Sequence, residues 1–130
     1  MSYYLATTVS RPFDTVISEV IERLKSEGFG VLTDIDVQAV LKAKLGVDMP
    51  RYRILGACNP QYAHEALKME DKLGVLLPCN VIVRERPDLQ IEVASVDPIV
   101  TMERTGNPGL ARPALEVRNR LARVIDGLAV

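Results

Sequence analysis

The sequence predicts an α+β fold, an antiparallel sheet packed by amphipathic helices, and three observations carry that expectation. Apolar residues alternate with period two in some stretches and recur at helical spacing in others. CNVIVRE (79–85) and LQIEVASV (89–96) flank RPDL, a Pro-Asp turn, and so form an antiparallel hairpin. Residues 110–128 place Leu110, Ala114, Val117, Leu121, Val124, Ile125 and Leu128 on one helical face, with Arg112, Glu116, Asn119 and Arg123 opposite. Helices and strands mixed along one chain, with antiparallel pairing, define this class. No linker, low-complexity tract or repeat divides the 130 residues, so residues 1–130 read as a single domain.

The elements follow in order. YYLATTV (3–9), rich in Tyr, Thr and Val, is a first strand. From Phe13, the residues Val16, Ile17, Val20, Ile21 and Leu24 share a helical face, and Gly28 stops that helix in the left-handed C′ position. FGVLTDID (29–36) is a second strand. Asp36 caps a helix whose Val37, Val40, Leu41 and Leu45 share a face and which Gly46 ends. RYRILGAC (51–58) alternates and is a third strand. Asn59 and Pro60 then start a helix over about 60–70, Asn as cap and proline preorganised at the first position. Its Ala63, Ala66 and Leu67 face inward, and Gln61, His64, Glu65 and Lys68 face outward. Lys72–Pro78 reads as extended chain returning to the hairpin, and 98–109 as a short element and a loop.

Composition excludes several function classes. A net charge of −1 supplies no field to gather polyanions, and 5% aromatic residues supply no stacking platform, so nucleic acid is not expected as a partner. No apolar run approaches the roughly 20 residues that span a bilayer, and MSYYLATTVS carries no export signal, so a membrane is not expected either. Two cysteines without an export signal point to a reducing cytoplasm. G-x-G-x-x-G, G-x-x-x-x-G-K and G-x-S-x-G are all absent, and the single histidine, His64, falls on a polar helix face.

The chemistry that remains centres on the two cysteines. Each is followed by asparagine and stands beside proline: GACNP (56–60) and LLPCN (76–80). Taking Arg51 and Arg53 as the outward parity of the third strand sends Cys58 inward. Asn80 and Arg84 do the same for Cys79. Core packing is one reading, because free cysteine is among the most buried residue types. A ligand or redox site is the other. Cys58 precedes a helix N-terminus, which stabilises a thiolate and would make it the more acidic thiol. Chain lengths then bring the two Cα atoms within about 8 Å. Cys58, His64 and Cys79 match no zinc spacing, so no metal is expected.

The segment YRILGACNPQYAHEALKMEDKLGVLLPCNVIVRE (52–85) resembles domain-of-unknown-function family 302, whose hallmark is an ACNP element followed by an LLPCNV element. EGFGVLTDIDVQAVLKAKLG (27–46) and the Asp97–Pro98 pair fit the same run. The resemblance implies an α+β fold similar to that of the TATA-binding protein, and a dimer. It implies no activity and no cofactor. Motif by motif it carries over Cys58, Asn59, Pro60, Pro78, Cys79 and Asn80.

Two functions are therefore expected to compete. One is a small cytoplasmic ligand-binding or thiol-redox-sensing domain whose site is Cys58, Asn59, Pro60, Cys79 and Asn80. The other is an interaction module that dimerises without chemistry. The dimer surface is read as the apolar half of the outward sheet face, Leu55, Ala57, Ile82, Ala94 and Val96, with the DPIVTM segment as a second candidate to cover it and a lodged ligand as a third.

Overall fold

The computed structural model describes residues 2–129. Five strands, β1 (Tyr4–Val9), β2 (Gly30–Asp36), β3 (Tyr52–Cys58), β4 (Cys79–Glu85) and β5 (Ile91–Val96), form one sheet in the order β1-β5-β4-β3-β2. Every neighbouring pair is antiparallel. The helices are α1 (Phe13–Ser26), α2 (Val37–Leu45), α3 (Pro60–Met69), α4 (Pro98–Glu103) and α5 (Ala111–Leu128). Short 3₁₀ turns occupy Leu73–Leu76 and Pro108–Leu110.

α1 and α5 cover one face of the sheet, as their apolar stripes dictate. Val16, Val20 and Leu24 of α1 and Leu121, Ile125 and Leu128 of α5 are buried against Leu55, Ala57, Val81, Val83 and Val93 of the strands. α1 ends where glycine permits it: Gly28 adopts φ 87°. A second, smaller cluster of Ala66, Leu73, Met102, Leu110 and Ala114 joins α3, the first 3₁₀ turn, α4 and α5. The fold thus has two apolar centres, and the region between them is where the site lies.

Several expectations change. In β3 it is Leu55 and Ala57, both fully buried, that face the helices. Tyr52, Ile54 and Gly56 face the open side, the reverse of the parity taken from the arginines. The reason lies in those arginines. Arg51 spreads its guanidinium 4.2 Å from the Phe13 ring centroid and donates to Asp14 at 2.6 Å, while Arg53 bonds Asp34. Long stems with paired heads line the rim of a covered face, so arginine parity does not mark the solvent side here. Leu55 and Ala57 accordingly leave the proposed dimer surface. Ile82, Ala94 and Val96 remain on the open face, half-buried, and the pairs Ile54↔Ile82 and Ile82↔Ala94 extend that apolar patch across three strands.

Residues 73–76 coil into a 3₁₀ turn where extended chain was expected. α2 keeps its cap, since Asp36 accepts from the Ala39 N–H at 2.9 Å, but none of its residues is buried. In α3 only Ala66 is buried, and Leu67 is exposed. The DPIVTM segment forms α4 and turns Pro98 and Met102 inward beside α5, so it does not cover the open sheet face.

Candidate functional site

At the end of the sheet where β3 finishes and β4 begins, a cavity of about 280 Å³ opens between the two apolar clusters. Phe29, Ala57, Cys79 and Val117 line it from the main core, and Ala66, Leu73 and Met102 from the smaller one. Leu32 and Leu67, both exposed, stand at its mouth. Among the described residues, no lysine, arginine, histidine, aspartate or glutamate lines it. Its polar contributors are Cys58, Asn59, Tyr62 and Cys79. Such a wall suits an apolar molecule held by few polar contacts.

The local sequence explains how this end is built. Gly56 lies directly under Thr33 Oγ1 and the Pro78 ring, whose Cγ would meet a Cβ at 2.8 Å, so only glycine lets β3 pass beneath that proline. Pro78, held through a cis peptide, leads straight into β4. Asn59 occupies the start of α3 but its side chain does not cap the helix. Nδ2 instead donates to the Glu27 carbonyl at 3.3 Å. Arg120 Nη1 donates to the same carbonyl at 3.1 Å, and Arg123 pairs with the Glu27 carboxylate. Glu27, at the end of α1, therefore ties α1, α3 and α5 together beside the cavity. The Arg120 guanidinium also sits 5.5 Å from the Tyr62 ring centroid and orients that cavity residue.

The motif residues are only partly brought together. β3 and β4 run antiparallel as neighbours, but the register sets Cys79 opposite Ala57, not opposite Cys58. Strand alternation turns Cys58 away from the face that carries Cys79, so both thiols border the cavity without forming a close pair. Cys79 is buried and Cys58 half-buried, and both are free. Burial pushes the Cys58 thiol up; burial, with a smaller push from Cys58, raises Cys79 to about 11. Asn80 lies on the open face, exposed and away from the cavity, and Pro60 is the exposed first residue of α3. No cluster of three or more His, Cys, Asp or Glu residues suited to a metal occurs among the described residues. No helix among them is long and apolar enough to cross a membrane.

The sequence reading missed Leu73, Met102 and Val117 as cavity residues. Their apolar character announced burial, and nothing in their spacing announced that two clusters would fail to meet. Fold and site together define an α+β sheet-and-helix domain with an apolar cavity at the end of the sheet. The model of the family described as "Domain of unknown function DUF302" matches residues 5–128, and the chain belongs to that family. The crystal structure of an uncharacterized conserved protein DUF302 from Bacillus stearothermophilus is similar to it, with 30% identity and a TM-score of 0.90 over 97% of this chain and 98% of that one. A comparison with curated proteins gives no match.

Proposed function

We propose that the protein is a small-molecule binding domain that takes an uncharged apolar ligand into the cavity at the end of the sheet. The observation that supports this reading most directly is the composition of the wall: a concave site of about 280 Å³ bordered by no charged side chain. An engineered apolar cavity of about 150 Å³ is enough to bind benzene, so the space suits a ligand of about ten heavy atoms. The raised thiol values favour binding over thiolate chemistry, because both cysteines stay protonated at neutral pH. They act as soft, weakly polar wall groups. Two free thiols fit the cytoplasmic setting expected from the sequence.

Titration with 1-hexanol, followed by calorimetry and by the thermal midpoint, tests the reading. Saturable binding with a raised midpoint is expected. Ala66→Leu, which fills the cavity from α3, is expected to abolish both effects. Hexanol that neither binds nor stabilises the wild-type protein would overturn it.

A second reading, self-association, is favoured by the open sheet face. Ile54, Ile82, Ala94 and Val96 are half-buried there, and the nearby charges Arg84 and Glu92 neutralise each other at 2.7 Å. A two-fold-related copy presents the same uncharged patch and so matches it without leaving a charge unpaired. Ile82→Asp is expected to convert a dimer into monomers in sedimentation. A wild-type protein that is monomeric at high concentration removes this reading.

A further inference from the structure

A second cavity, of about 530 Å³, lies between α4, the 104–110 loop and the start of α5. Met102 borders both cavities, and no other described residue does so. We propose that the ligand is a neutral, unbranched hydrocarbon chain that enters the inner cavity and continues past Met102 into the outer one; this rests on the binding reading above.

Three observations carry the proposal. The outer cavity continues the inner one in chemistry, with Ile99, Leu110, Ala114 and Leu115 in its wall. The residue common to both walls is a buried methionine, an unbranched thioether that changes shape at low cost. A narrow, unbranched ligand asks the least displacement of such a side chain. The third observation is electrostatic. Neither wall carries a cation, and the one charged residue of the outer wall is Glu103, a carboxylate. A carboxylate head would find repulsion and no partner, so a fatty acid is a poor occupant and an alcohol or similar neutral chain a good one. Asn107, the outer wall's other polar side chain, is already committed: Nδ2 donates to the Met69 carbonyl at 2.9 Å and Oδ1 accepts from the Gly109 N–H at 3.0 Å. The polar end of the chain is thus left to face water.

Calorimetry with a series of 1-alkanols from six to twelve carbons tests this on the intact protein. Each added methylene buried in the second cavity raises affinity about fourfold. Leu115→Trp narrows the outer cavity alone, and should leave hexanol binding unchanged while removing the gain beyond about eight carbons. Ala111→Phe, on the same wall, serves if that variant does not fold. Dodecanoate is expected to bind at least tenfold more weakly than dodecanol. Tight hexanol binding with a flat chain-length series overturns the chain proposal and leaves the single-cavity reading standing. Equal binding of dodecanoate and dodecanol overturns the neutral-ligand assignment, and a series in which no alkanol binds removes both readings.

Discussion

Cys79 links the stability of the fold to alkaline pH through its buried proton. Its thiol has an ordinary value of 9.0 in the unfolded chain and about 11 in the folded one. The folded state holds the proton between those values and the unfolded state loses it. The contribution is complete below pH 9 and disappears as pH rises toward 11, amounting to about 2–3 kcal/mol. Urea midpoints of the wild type should fall through that window more steeply than those of Cys79→Ala, and parallel curves would refute the linkage. Gly56 is the second sensitive residue. Gly56→Ala drives a methyl group into Thr33 and the Pro78 ring and should lower stability by about 1–3 kcal/mol in the same assay. Residue identity was the part of the site that the sequence showed best, since GACNP and LLPCN do flank the cavity end. Side-chain direction was legible in β4 and β5 but not in β3. In β3 the arginines that signalled the outside are paired across the rim with Asp14 and Asp34, and that pairing depends on α1 and β2, which no local pattern in 51–58 encodes.

Among the elements, α2 stands apart. Its cap and its glycine stop were legible in Asp36 and Gly46, and both hold, with Gly46 at φ 68°. Its apolar spacing predicted a shared face, yet no residue of α2 is buried, because periodicity reports a face and says nothing of what meets it. A nine-residue helix with no buried residue depends heavily on its ends. Asp36→Ala should therefore fray α2, costing about 1 kcal/mol locally, and speed amide hydrogen exchange from Val40 to Gly46 while the amides of β4 stay protected. Unchanged exchange in α2 would mean that a partner surface holds it. α3 offers the contrast. Asn59 and Pro60 correctly marked its start, yet the asparagine side chain serves the Glu27 carbonyl, 32 residues away, in place of its own helix. Asn59→Ala should cost about 1 kcal/mol in urea unfolding through that lost tether.

Across the whole molecule, the fold class, the hairpin and the long closing helix were legible because each rests on local periodicity. The cavity was not, because it is a property of two clusters assembled from α3, α4, α5 and the sheet together. The sheet order has a further consequence in the time domain of synthesis. β2, β3 and β4 each pair with the next strand as the chain grows, but β1 pairs only with β5, Tyr4 with Val96 and Val9 with Ile91. The earliest strand of this sheet is the last to be matched. At about 5–20 residues per second, it leaves the ribosome several seconds or more before its partner exists. During that wait α1 also lacks α5, the helix it packs beside, so a nascent chain halted before residue 91 should present Tyr4–Val9 to any passing chaperone or unpaired strand, and one released after α5 should not.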